Sequence, residues 1–196
     1  MYRSGRPNSQ QKAERRAVPP LDPARLEALA LHYVARFSTT ASKFERYLRR
    51  KLIERGWDHQ DDAPVAGLVA RMVEAGYIDD AAFARARTGS LLRRGLGARR
   101  IDQDLNAAGI GAADRDEARA TAAAERHAAL ACARRRKLGP YGAAIIDRAA
   151  REKQLGAMLR AGHRLDSARE LVNSTSIAAA EEWAEALDND TEDADG

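Results

Sequence analysis

Hydrophobic side chains recur along this chain at helical intervals. Leu26, Leu29, Ala30, Tyr33, Val34 and Phe37 stand at i, i+3, i+4, i+7, i+8 and i+11, which predicts an amphipathic helix from near Pro23. Ser38-Thr39-Thr40 supplies turn and capping chemistry before a second helix, whose Phe44, Leu48 and Leu52 lie on one face and which ends at Gly56. Its other face holds Arg46, Arg49, Arg50, Lys51 and Arg55. A third helix is expected to open at Asp61-Asp62, with Pro64 in its first turn. It presents Val65, Leu68, Val69, Met72 and Val73 and stops at Gly76. None of these stripes is buried by its own helix, but three helices together make a small unit.

The pattern restarts at Asp79. Asp79 or Asp80 caps a helix that carries Phe83, and Gly95 and Gly97 break it. The next helix shows Ile101, Leu105 and Ala108 on one stripe and ends at Gly109. An alanine-rich helix is predicted from about Ala112 into Arg134, extending to residue 138 as a link between units. Gly139-Pro140 forces a turn. A further helix is predicted from Gly142 to Ala161, with Ile145, Ile146, Ala149, Leu155, Met158 and Leu159, and a last one from Asp166 to Val172.

A period underlies this order. Gly56, Gly109 and Gly162 follow one another at equal spacing, since 109 less 56 and 162 less 109 both give 53. Leu52, Leu105 or Met158 stands four residues before each glycine, and Trp57, Ile110 or His163 follows it. A helix stop repeated with its apolar anchor is the mark of tandem modules. The expected fold is all-α, three tandem three-helix repeats forming an elongated, curved array. The expected segments are a disordered basic arm over 1–22, repeats over 23–78, 79–113 (with part of the helix to 138) and 114–173, and an acidic disordered tail over 174–196.

Composition agrees with a helical protein, because 44% of residues are hydrophobic but only 5% aromatic. The single cysteine, Cys132, excludes an internal disulfide and a cysteine-based zinc site. No apolar h-region opens the sequence and no apolar run approaches about 18 residues, so a cytoplasmic protein without membrane association is expected. Residues 174–196 hold eight acids and no Lys or Arg, so the remainder carries +12 behind the net charge of +4. In that tail Trp183 and Leu187 lie i, i+4, spacing for a short helix that docks transiently on the basic body. Between Asp80 and Asp102 stand Arg85, Arg87, Arg93, Arg94, Arg99 and Arg100 without one acid. Such a one-sign run is either a solvated arginine face or a surface for an anionic partner. Arg49, Arg50 and Lys51, and the Arg134-Arg135-Arg136-Lys137 cluster, are weaker candidates of the same kind; cations at a helix C-terminus also offset its dipole.

Catalytic patterns are missing from the sequence. His32, His59, His127 and His163 are scattered, and no glycine-rich phosphate loop precedes a Lys-Ser or Lys-Thr pair. The acidic pairs Asp61-Asp62 and Asp79-Asp80 sit where helices start, and capping accounts for them. Trp57, Tyr77 and Tyr141 lie at helix ends, suited to end packing or to stacking on a base. Neither enzyme activity nor a cofactor is expected.

The stretch Asp79-Asp80, Phe83-Ala84, Gly95 to Ile101, Leu105 and Gly109-Ile110 resembles the central repeat of the RecX family, regulators of the RecA recombinase. Tyr47 to Leu52 with Arg55-Gly56-Trp57 resembles that family's first repeat, and Arg151 to Leu155 with Leu159 to His163 its third. The resemblance covers roughly residues 24–173 and departs from the family pattern in an insertion at Thr39 to Lys43. It implies three tandem three-helix repeats and binding to the RecA nucleoprotein filament; separately, a monomer is expected. It also implies inhibition of recombinase, ATPase and co-protease activities in DNA recombination, repair and the SOS response. Contact with single- and double-stranded DNA is expected to be weak and non-specific. A stand-alone helix-turn-helix-type DNA-binding protein is the alternative, although the basic faces are nearly pure arginine and lack the Asn and Gln of base readout.

Overall fold

The computed structural model describes residues 19–143 and 147–188; residues 1–18 of the basic arm and 189–196 of the acidic tail lie outside them, while the arm's last residues, expected to be disordered, join the first unit. Ten α-helices occupy the described residues, and the only extended pairing among them is one parallel bridge between Leu21 and Trp57.

The first unit comprises α1 (Pro23–Val34), α2 (Ala41–Arg55) and α3 (Val65–Glu74). Asp22 accepts from the Arg25 amide to cap α1, with Pro23 in the first turn, where its missing N–H does no harm. Thr40 caps α2 through the Lys43 amide. Leu26, Ala30, Val34, Phe44, Leu48, Leu68 and Met72 form one apolar core. The bridge ties Leu21 to the end of α2, through Leu21 N to Gly56 O (3.0 Å) and Asp58 N to Leu21 O (2.8 Å). Two expectations change here. The third helix starts at Val65 rather than Asp61-Asp62: Pro64 precedes it, no side chain caps it, and the Asp61 carbonyl instead accepts from the Trp57 indole (2.6 Å). α1 stops at Val34, which leaves Phe37 off the buried stripe and 53% exposed.

The second unit holds α4 (Asp80–Arg93), α5 (Ala98–Ala107) and α6 (Ala112–Glu117). Asp79 caps α4 through the Ala82 amide (2.7 Å). Ala84, Leu91, Ile101, Leu105, Ala108, Ile110 and Ala118 form its core. The long helix expected from Ala112 is broken. α6 ends at Glu117, Ala118 turns into the second core, and Thr121 caps α7 (Ala122–Arg136). The break serves two masters, since Ala118 is buried in the second unit and Ala129 and Ala133 in the third.

The third unit packs α7, α8 (Arg148–Arg160), α9 (Leu165–Asn173) and α10 (Ile177–Glu185) around Leu130, Leu155, Met158, Leu171 and Val172. A 3-10 turn, Gly139–Tyr141, joins α7 to the chain leading into α8. α8 begins at Arg148 under an Asp147 cap rather than at Gly142; Ile145 and Ile146 lie outside the described residues. The acidic tail, expected to be disordered apart from a transiently docking helix around Trp183 and Leu187, supplies α10 as part of the third core. Ser176 caps it, Ala180 and Ala184 are fully buried against α7, and Trp183 is half-buried over Arg126 at 4.8 Å. Its acids face outward or pair with α7 while its alanines pack inward, so net charge concealed an apolar stripe.

The three glycines of the 53-residue period all adopt left-handed backbone: Gly56 (φ +81°), Gly109 (φ +82°) and Gly162 (φ +95°). Two of them also join the units. At the end of α5, the Ala108 carbonyl accepts from Thr40 Oγ1 (2.7 Å), and Gly109 lies so close to Ser42 that a β-carbon would overlap it. At the end of α8, the Ala161 carbonyl accepts from Gly97 N (2.9 Å) and the Gly162 carbonyl from Arg99 N (3.3 Å). The C-terminus of α8 thus abuts the N-terminus of α5, and the C-terminus of α5 abuts the N-terminus of α2. Positive and negative helix ends meet at both joints. Asp80 completes the first joint, its carboxylate accepting from Ala41 N (2.9 Å) at the start of α2. Burial raises the Asp80 pKa despite that bond.

Candidate protein and nucleic-acid interface

The arginine run that looked unopposed in sequence is partly neutralised by carboxylates from other helices. Arg87 makes a bidentate pair with Asp104 of α5 at 2.7 and 2.9 Å. The guanidinium hydrogen bonds hold the Asp104 carboxyl below its ordinary value, and the same bonds raise Arg87. Arg85 pairs with Glu117 of α6 at 2.8 Å. Arg134 pairs with Glu181 of α10 and lies over the Tyr141 ring. In the first unit Arg49 pairs with Glu45, while Arg50 and Lys51 share Glu54.

The remaining candidates gather where the second and third units meet. Arg135 donates to the Arg94 carbonyl (2.6 Å), Arg136 to the Ala157 carbonyl (3.2 Å) and Arg99 to the Leu159 carbonyl (3.2 Å). These acceptors are neutral, so the guanidinium charges stay uncompensated. Arg100 reaches only Gln103, and Arg93, Arg94 and Lys137 form no ion pair among the described residues. The result is a cationic seam built from the end of α4, the start of α5 and the end of α7. The other motif residues are structural: Gly95 has φ +75° and its would-be β-carbon lies 2.7 Å from the Cys132 amide nitrogen, while Ile101 and Leu105 are buried. Phe83 packs at the edge of the second core, beneath Lys43 at 4.7 Å.

His163 is buried at this seam. Its Nε2 donates to the Gly95 carbonyl at 3.1 Å, which places the proton on that nitrogen. Burial lowers its pKa below the ordinary 6.5, and nearby Arg136 adds to the effect. A cleft of about 520 Å³ lies alongside, walled by Ile101, Leu105 and Leu159 and rimmed by Arg99, Arg115, Asp102 and Glu125. Arg115 is tied to Asp102 (2.9 Å) and to the Ile110 carbonyl (2.7 Å). Glu125 is raised by burial. Among the described residues no group of three His, Cys, Asp or Glu is placed to hold a metal ion, and no helix is long and apolar enough to cross a membrane.

Small helical units joined end to end, with positive charge collected at a joint, define a helical-repeat protein. Residues 79–118 match the second three-helix domain of RecX. The Regulatory protein RecX of Myxococcus xanthus (strain DK1622) is 32% identical over 163 residues, covering 79% of this chain and 87% of that protein. The chain therefore belongs to the RecX family. The fold is shared with a crystal structure of regulatory protein RecX (TM-score 0.58, 22% identity, 76% of this chain and 72% of that one). It is shared equally with RecX from Lactobacillus salivarius (TM-score 0.59, 17% identity, 76% of this chain and 93% of that one).

Proposed function

We propose that this chain is a non-enzymatic, cytoplasmic, monomeric regulator that binds the RecA nucleoprotein filament and inhibits its recombinase, ATPase and co-protease activities, acting in recombination, repair and the SOS response. Family membership supports the assignment, and the cationic seam of Arg93, Arg94, Arg99, Arg100, Arg135, Arg136 and Lys137, which form no ion pair among the described residues, is the structural observation that carries it. A predominantly basic surface held on interlocked helix ends suits a groove lined by acidic protein and phosphate. Its arginines need no rearrangement to present charge, because backbone carbonyls already orient three of them. Bound along a filament, an array hydrogen-bonded at both joints resists the subunit rearrangement that ATP turnover and strand exchange require. DNA adds weak, sequence-independent attraction through phosphates. In this reading the boundary between the second and third modules falls at the break between α6 and α7.

The test is single-strand-dependent ATP hydrolysis and strand exchange by the cognate RecA, with and without this protein. Substoichiometric protein slows both. Unchanged traces at molar excess refute the assignment.

A further inference from the structure

The first unit carries aromatic rings that extend from its core to solvent. Tyr33 of α1 stacks on Tyr47 of α2 with ring centroids 4.0 Å apart and 25° between planes. Tyr33 also meets the buried Phe44 at 5.8 Å and Phe37 at 5.1 Å. Phe37, just past the end of α1, is the exposed end of the series. Neither tyrosine hydroxyl bonds to another described group.

Charge around these rings has one prevailing sign. α2 holds six cations against two carboxylates, Glu45 and Glu54. Arg50 and Lys51, which share the single carboxylate of Glu54, stand 5.7 and 5.9 Å from the centre of the Tyr47 ring. Arg36, the neighbour of Phe37, approaches only His32, at 3.4 Å. An open π face beside cations matches the two parts of a nucleotide, a flat base and an anionic phosphate. A duplex keeps its bases stacked on one another, so only an unpaired strand can offer a base to Phe37. An acidic peptide would satisfy the cations but would leave the ring without a planar partner.

We propose that Phe37, Tyr33 and Tyr47 form a stacking platform for an unpaired base of a single-stranded nucleic acid, with Arg36, Arg50 and Lys51 receiving its phosphates. The platform lies in the first unit, apart from the cationic seam of the second and third. Its test contains no recombinase, so its outcome is separate from that of the regulatory assignment.

The experiment compares, by fluorescence anisotropy, full-length protein binding to an oligothymidylate of about 20 nucleotides and to an abasic strand of equal length and charge. The wild type binds the strand with bases more tightly, and Phe37→Ala lowers affinity for it by about tenfold while leaving abasic binding unchanged. Phe37→Trp retains the preference. Far-UV spectra of the variants confirm that both are folded, as expected for an exposed ring. Equal wild-type affinity for the two strands would overturn the platform and leave a purely electrostatic surface, and so would a base preference that survives in Phe37→Ala.

Discussion

Gly97 and Gly162 meet backbone to backbone: a β-carbon on Gly97 would overlap the carbonyl of Gly162, while the Gly97 amide donates to the adjoining Ala161 carbonyl at 2.9 Å. The glycines are there for close approach, and Gly97 needs no left-handed conformation to require it. Gly97→Ala must push α5 and α8 apart and is expected to lower stability by about 3 kcal/mol. Gly67 in α3 is the control, because a β-carbon there meets nothing within 4 Å. Gly67→Ala should raise stability by about 0.5–1 kcal/mol through helix propensity alone. Urea denaturation measures both.

His163 makes the same joint sensitive to acid. Its folded-state pKa lies below the ordinary 6.5, so the unfolded chain takes up its proton first as pH falls. The contribution of neutral His163 is therefore complete above pH 6.5 and declines as pH drops from there toward the folded value. Midpoint temperatures recorded across that window should show the decline, and His163→Gln, which can still donate to the Gly95 carbonyl, should flatten it.

Arginines that resemble one another in sequence should separate in function. Arg93→Glu, Arg94→Glu and Arg100→Glu alter side chains with no ion pair, so the triple variant should stay folded. Its salt dependence of single-strand binding should fall by about one slope unit per arginine engaged with phosphate. Arg87→Ala breaks the bidentate Asp104 pair. That pair is more than one-third exposed, so the loss should be about 1 kcal/mol of stability with little change in binding. Salt titration of binding and thermal unfolding distinguish the two classes.

α10 is expected to be essential to the third unit. Removing residues 177–188 strips Ala180, Ala184 and Trp183 from α7 and uncovers its buried alanines and Leu130. Ala184→Asp, which forces a carboxylate into the same contact, should cost about 3 kcal/mol, measured by urea unfolding.

These cases show what could be read from the sequence. Gly56, Gly109 and Gly162 announced themselves because a helix stop and its anchor are local features repeated at a fixed interval. The acid-free run from Ala81 to Ile101 gave no sign that Arg85 and Arg87 are paired, because their counter-charges, Glu117 and Asp104, arrive from later helices. The joint between α6 and α7 was hidden by alanines, which favour helix but draw no stripe. Trp183 and Leu187 pointed to a short docking helix in the acidic tail, but the acids concealed that it is a stable core element, although Ser176, Ala180 and Ala184 already carried a cap and a buried spacing. The exposed position of Phe37 was masked by its fit to the heptad-like pattern of α1, which continues past the helix itself.

α5 is engaged at both ends, by Gly162 at its start and by Thr40 and Ser42 at its finish. It works as a keyed shaft: its ten residues set a separation of about 15 Å between the two locks and also their relative angle. One residue inserted into α5 would turn one lock against the other by about 100°. α5 therefore has a fixed length and phase, and the direction in which the first unit faces the third is written into it.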